Sequence, residues 1–209
     1  MVGAYLSPVN DGYRKAGLAP SQHRVAMCQA AAADSQLCMV DAWEAGQPGY
    51  VRTLAVMRGL KQRLALQGCG DDVRVVLVCG ADLLASFVRP GVWIPAQLRE
   101  ILGHDHGVVC VTRGDGGEAE AKAAERALRS QGLADAPDSV MVVDDFARSN
   151  ISSTEVRRAL REGDSLRYAV PAPVLEYVCK HGLYGVDQAA CARKYRRLST
   201  HDELHSSRG

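Results

Sequence analysis

Ser152, Ser153, Thr154 and Arg157 stand where the strand-like run SVMVVDD gives way to the helical run VRRALREG. Hydroxyls followed by a guanidinium are donors suited to a phosphate. Ser152-x-x-Glu155 has the spacing of a capping box, in which the Ser oxygen accepts from the backbone N–H three residues on and the Glu reaches back. A helix start also leaves unpaired N–H groups at a positive dipole end, which attract anions. The charge pattern exceeds what the helix needs. Arg158 has Glu155 and Glu162 within pairing distance along the helix, but Arg157 and Arg161 are like charges one turn apart, and cations sit badly near a helix N-terminus. A bound anion resolves both costs. The bland alternative is a capped surface helix, since the motif is a common helix start.

The elements that must position this motif alternate between strand and helix. VGAYLSPVN opens as a short strand and enters the polar loop NDGYRKAG. SQHRVAMCQAAAA is expected as a helix with Ser21 as its cap, and LCMVDAW as a short strand. YVRTLAVMRGLKQRLAL places Leu54, Met57, Leu60 and Leu64 at helical spacing. VRVVLVCG is a continuous β-branched run, expected to be buried on both faces as in a parallel sheet. ADLLASFV and PAQLREILG are short helices, GVVCVTR a buried strand, GEAEAKAAERALRSQG an Ala-rich helix and SVMVVDD the last strand. PAPVLEYVCKHGLY begins with Pro in a helical first turn and stops at Gly. The expectation is an α/β fold with a doubly wound parallel sheet over residues 1–184, ligands lying at the carboxyl ends of the strands. Gly80-Ala81-Asp82, Thr112-Arg113 and Asp144 to Thr154 all fall at such ends. Residues 185–209 are polar without sustained periodicity and are expected to form a disordered tail. Its RKYRRLST segment is read as a solvated end, with a basic anion-binding patch as the sharper alternative.

Composition narrows the function classes. A hydrophobic content of 47% with 23% charged residues fits a globular protein able to bury a core. The net charge of +1 supplies no global field for nucleic acid or a membrane surface, and no apolar run reaches the roughly 18 residues of a membrane span. The seven cysteines form no C-x-x-C pair. They are expected to be reduced, buried thiols in a reducing compartment, cytoplasmic or nuclear. GHDHG, with His104 and His106, is read as a solvated loop rather than a metal site. There is no G-x-G-x-x-G after a strand, no P-loop and no G-x-S-x-G elbow. The chemistry left is phosphate handling by positioned donors.

These residues resemble a known family. ISSTEVRRAL followed by SLRYAVPAPVLEYVCKHGLY resembles the C-terminal signature of the eukaryotic nicotinamide/nicotinate mononucleotide adenylyltransferases. CGADLLASFVRPGVW and VCVTR resemble their central block, and LSPVNDGYRKAGLAPSQHRVAM their segment after the first βα unit. The resemblance runs in order from Gly3 to Tyr184. It implies a Rossmann-like nucleotidyltransferase fold and transfer of the adenylyl group of ATP to the mononucleotide, giving NAD or its deamido form and pyrophosphate, with Mg²⁺. By resemblance, Gly80, Asp82, Ser152, Ser153, Thr154 and Arg157 contact ATP. Lys15, Tyr50, Thr53, Val92, Trp93, Arg113 and Ser149 line the mononucleotide site; Trp93 matches a tryptophan that stacks on the pyridine ring, and Lys15 a lysine on the mononucleotide phosphate. Read alone, Trp93 is equally a half-buried packing residue. ATP and the mononucleotide are the implied partners, without nucleic acid or membrane, and a homo-oligomer is compatible with the sequence.

One block of the resemblance has no counterpart. The family opens with a strand and a Gly-x-Phe-x-Pro-x-x-x-x-His loop whose histidine contacts the ATP phosphates. Nothing in this chain matches it, and His23 belongs to a different family position. No catalytic residue is therefore assigned, and the sequence is expected to be an N-terminally incomplete form whose first βα unit is missing. Loss of one positioned phosphate donor costs on the order of 10²–10³ in rate. A nucleotide-binding fragment without turnover, or an adenylyltransferase for a flavin or pantetheine phosphate, are the competing readings.

Overall fold

A computed structural model describes residues 3–70, 72–112, 117–144 and 151–195. In chain order the elements are β1 (Ala4–Leu6), α1 (Ser21–Ala32), β2 (Cys38–Val40), α2 (Thr53–Leu66), β3 (Val75–Cys79), α3 (Ala81–Ser86), α4 (Pro95–Ile101), β4 (His106–Thr112), α5 (Gly117–Ser130), β5 (Val140–Asp144), α6 (Ser153–Glu162), α7 (Ala172–His181) and α8 (Gln188–Tyr195). Two 3-10 turns lie at Asp11–Tyr13 and Leu183–Gly185. The chain divides into two compact units, residues 1–51 with 151–209 and residues 52–150.

The second unit is built on three parallel strands in the order β3-β4-β5. Cys79 stands in register with Cys110, and Thr112 with Asp144. Leu84, Ile101 and Leu128 are fully buried in the core of this unit with Val108, Cys110 and Val140. Each such aliphatic side chain contributes about 1.5–3 kcal/mol by leaving water. The strand alternation therefore gives the parallel α/β class expected from the sequence. The first unit pairs β1 with β2, also parallel. There α6, α7 and α8 close a second core of Ala159, Leu160, Leu166, Leu175, Val178 and Tyr195, and α1 joins it through His23 Nδ1, 3.0 Å from Tyr177 Oη.

Several sequence expectations are corrected. β3 is not buried on both faces: Val76 is 40% and Val78 67% exposed, whereas Val75, Leu77 and Cys79 pack on the core. A run of β-branched residues hides the two-residue period that separates the faces. Ser21 does not cap α1. Its N–H and hydroxyl both donate to Asp11 Oδ2, at 3.1 and 2.9 Å, so the cap comes from ten residues upstream. His106 is no loop residue; it opens β4, is buried, and its Nδ1 lies 3.2 Å from Val75 O. Residues 188–195 of the supposed tail form α8, anchored by buried Cys191 and Tyr195; residues 196–209 lie outside the described residues. The uniform-thiol reading fails at one pair, because Cys179 and Cys191 are disulfide-bonded with Cα atoms 5.4 Å apart. Cys28, Cys38, Cys69, Cys79 and Cys110 are free.

Glu44 is buried beneath the loop that follows β1, with the Ser7 hydroxyl donating to its Oε2 at 3.2 Å. Burial raises its pKa, and the Ser7 and Asn10 hydrogen bonds only partly oppose this. The folded state thus favours the neutral carboxyl. Its contribution is present below the ordinary carboxyl pKa and is lost as pH rises through the raised folded value. Glu44→Gln is expected to raise the Tm at about pH 7.5, with the gain vanishing below about pH 4; thermal melts across that range check it.

Candidate active site

The N-terminus of α6 has the geometry its sequence implies. Ser152 is the N-cap in extended conformation, its Oγ accepts from Glu155 N at 3.2 Å, and Glu155 Oε2 accepts from Ser152 N at 3.0 Å. The box satisfies the first and last of the terminal N–H groups. The N–H groups of Ser153 and Thr154, both exposed, have no acceptor among the described residues. Arg158 pairs with Glu162 rather than Glu155, whose carboxylate is held by the cap. Half-buried Arg157 donates to Thr154 Oγ1 at 3.4 Å and has no carboxylate partner among the described residues. A phosphate placed here meets two backbone donors, two hydroxyls and a guanidinium at the positive end of the helix.

The Lys15 loop reaches the same helix within the first unit. Asn10 Oδ1 accepts from Gly12 N at 2.6 Å and starts the 3-10 turn. Arg14 then takes a left-handed backbone (φ 48°), uncommon for a side chain with a Cβ. Asp11 closes the loop by accepting from Ser21 and, at 2.7 Å, from Arg24 Nη2, while Arg24 Nε donates to Ala19 O at 2.8 Å. The Ser21 N–H first, then the Arg24 guanidinium, hold the Asp11 carboxyl below its usual range. With Asp11 engaged, Arg14 and Lys15 face a depression of about 350 Å³ bounded by Asp11, Leu18, Ala19 and Pro20. Gly17 brings the loop beside α6, where a Cβ would make ordinary van der Waals contact with Arg157 Nε at 3.7 Å. A smaller cleft of about 130 Å³ carries Ser153 and Arg157 among the apolar side chains of Met27, Val156, Val174 and Tyr184. Tyr50 is 59% exposed and stacks on Tyr13, with centroids 6.3 Å apart. Gly12 permits this contact, since a Cβ there would stand 2.9 Å from Tyr50 N.

The second unit presents its own group at the strand ends. Gly80 is the N-cap of α3 and Asp82 lies exposed in its first turn. Thr112 Oγ1 donates to Asp144 Oδ1 at 3.2 Å and ties the ends of β4 and β5 together. Burial, followed by the adjacent Cys110, pushes the Cys79 thiol up to about 12, so it stays protonated and inert near neutral pH. Thr53 starts α2, half-buried, and Val92 is exposed. Trp93 is also half-buried; its Nε1 donates to Ser86 Oγ at 3.0 Å and its ring meets Phe87 edge-on at 4.6 Å. Arg113 and Ser149 lie outside the described residues. Thus Lys15, Tyr50, Ser152, Ser153, Thr154 and Arg157 belong to one unit, and Thr53, Gly80, Asp82, Val92 and Trp93 to the other. Sequence reading missed Arg14 and the Asp11–Arg24 clasp. The only signal was the N-D-G turn ahead of two consecutive cations.

The sequence itself places the chain in a known class. Residues 4–159 match the profile of the family described as Cytidylyltransferase-like. Over 197 residues the chain is 39% identical to a protein of Oryza sativa subsp. japonica named nicotinamide/nicotinic acid mononucleotide adenylyltransferase, covering 93% of this chain and 76% of that one. The protein of the same name from Arabidopsis thaliana is 39% identical over 186 residues, with 88% and 76% covered. Nicotinamide/nicotinic acid mononucleotide adenylyltransferase 1 of Bos taurus is 33% identical over 220 residues, with the same two shares. The chain belongs to the nicotinamide/nicotinic acid mononucleotide adenylyltransferase family.

Structure and binding separate at α6. Ser152→Ala removes the cap and is expected to lower stability by about 1 kcal/mol in urea denaturation. Arg157→Gln is expected to change it by less than about 0.5 kcal/mol, because no folded-state ion pair is lost.

Proposed function

We propose that the protein transfers the adenylyl group of ATP to nicotinamide or nicotinate mononucleotide, forming NAD or its deamido form. The observation that carries this reading is the capped end of α6, where free N–H groups and an Arg157 without a carboxylate partner converge. A phosphate oxygen of the mononucleotide attacks the α-phosphorus of ATP; the new P–O bond forms as the bond to pyrophosphate breaks. This displacement needs no covalent enzyme intermediate, so the protein's work is positioning and charge neutralisation. Ser153 and Thr154 hold triphosphate oxygens through their N–H and hydroxyl groups, and Arg157 offsets the charge that builds on the leaving pyrophosphate. Lys15 takes the mononucleotide phosphate, and the Asp11–Arg24 clasp fixes its loop. Gly80 and Asp82 contact the nucleotide, and Tyr50, Thr53, Val92, Trp93, Arg113 and Ser149 serve the mononucleotide. Trp93, with its N–H engaged by Ser86, is restrained in one orientation, which suits a stacking surface for a flat pyridine ring.

The described residues hold no group of three or more His, Cys, Asp and Glu arranged for a metal ion. Mg²⁺ in this reading arrives with ATP, as part of the substrate. No helix among the described residues is long and apolar enough to cross a membrane.

Purified protein given ATP, Mg²⁺ and nicotinamide mononucleotide is expected to produce NAD and pyrophosphate. Arg157→Gln should lower kcat/KM by on the order of 10²–10³, and Lys15→Ala should raise KM for the mononucleotide more than for ATP. Binding of ATP without any NAD, from folded protein, contradicts the assignment and favours a nucleotide-binding role.

A further inference from the structure

The last helix among the described residues is fastened to α7 and to the turn that follows α6 by contacts that the transfer reaction does not use. Cys191 on α8 is bonded to Cys179 on α7, and both sulfurs lie in the core of the first unit, the residues being 8% and 3% exposed. Four residues beyond Cys191, Tyr195 is 3% exposed, and its hydroxyl accepts from Leu166 N at 3.1 Å. The same hydroxyl donates to Asp164 O at 3.4 Å, and Lys194 Nζ donates to Gly163 O. Gly163 is the C-cap of α6. Contacts from α8 thus engage the Gly163 and Asp164 carbonyls just past the end of α6 and hold the turn that leads to α7, with the disulfide one helical turn away on the same helix.

We propose that Cys179 and Cys191 are a thiol–disulfide exchange site whose redox state latches or releases α8, and with it the C-terminal end of α6. The reacting class is a small disulfide such as glutathione disulfide in one direction and a dithiol in the other. In oxidation, the thiolate of one cysteine attacks glutathione disulfide, forming a mixed disulfide and releasing one glutathione thiolate. The thiolate of the second cysteine then attacks the protein sulfur, closing the Cys179–Cys191 bond and releasing the second glutathione thiolate. The two protons lost by the cysteines are taken up by the two glutathiones. A dithiol opens the Cys179–Cys191 bond by two exchanges of its own: one thiolate forms a mixed disulfide and releases one cysteine thiolate, and the second closes the dithiol's disulfide and releases the other. Both sulfurs are shielded, so exchange proceeds when α8 lifts, a local opening that exposes Cys191. Closing a loop over a sequence separation of 12 removes chain entropy from the open ensemble, so the bond favours the docked helix. Cys79 and Cys110, neighbours in register on β3 and β4, remain free thiols, and burial raises both; proximity alone does not make a pair in this chain.

The structural half stands without the adenylyl-transfer reading; any effect on ATP rests on that reading. Full-length protein is equilibrated in glutathione buffers from oxidising to reducing and followed by intact mass after alkylation, thermal melting and amide hydrogen exchange. Reduction is expected to free two further alkylatable thiols, lower the Tm by roughly 6–12 °C, and accelerate exchange at Leu166 and in α8 by about tenfold or more. Cys191→Ala, which keeps the site apolar, should melt at the lower temperature in every buffer. If that variant fails to fold, the wild-type titration still decides. An unbonded pair at every potential, or a bonded pair whose reduction leaves Leu166 and α8 exchange unchanged, overturns the latch. ATP binding is titrated in the oxidised and the reduced state; redox-dependent exchange with no ATP binding in either keeps the latch and counts against the function assigned to α6.

Discussion

The first unit turns on the electrostatic asymmetry of α6. Its capping box uses Ser152 and Glu155 to satisfy two terminal N–H groups and leaves those of Ser153 and Thr154 directed outward. Its first two turns then carry Arg157, a cation placed where the helix dipole disfavours one. Arg158 on the neighbouring face is neutralised by Glu162, whereas Arg157 has no carboxylate among the described residues. The remaining contacts of the unit hold this imbalance in place: the Lys15 loop returns against Arg157 at Gly17, and α8 secures the far end of the helix.

Much of the fold was legible in the chain because strong local signals agreed with the tertiary result. GVVCVT became β4, buried through most of its length, and the Ser-x-x-Glu spacing became a capping box with both bonds present. The failures share a cause, which is that a partner far away in sequence decided the outcome. Asp11 rather than Ser21 caps α1, since the carboxylate sits on a preceding loop that no local rule inspects. VDQAACARKY reads as a polar tail, yet Cys191 and Tyr195 lie one turn apart and reach the core of α6 and α7. The Cys179–Cys191 bond belongs to no spacing motif, because the intervening turn sets it, with Gly182 and Tyr184 both at positive φ.

The candidate site was legible to a different degree in each unit. Phosphate chemistry announces itself through few residue types at fixed spacing, so Ser152 to Arg157 stood out from the sequence alone. Trp93 did not, since a Trp that packs on Phe87 and donates to Ser86 has the same sequence appearance as one that stacks on a ligand. Arg14 was invisible because its significance lies in a left-handed backbone that most residues avoid. The Asp11–Arg24 clasp illustrates how stability and site coincide: the ion pair that closes the loop also occupies the one carboxylate able to neutralise Lys15 from within that loop.

Under the proposed function, the free N–H groups at the start of α6 receive a nucleotide phosphate. The most direct test is a titration of ¹⁵N-labelled protein with Mg-ATP, followed through the backbone amides of Ser153 and Thr154 and the Arg157 Nε–H. These three resonances are expected to move furthest, saturate together and respond likewise to pyrophosphate. Saturable binding of ATP that leaves all three in place while shifting amides elsewhere would contradict that reading.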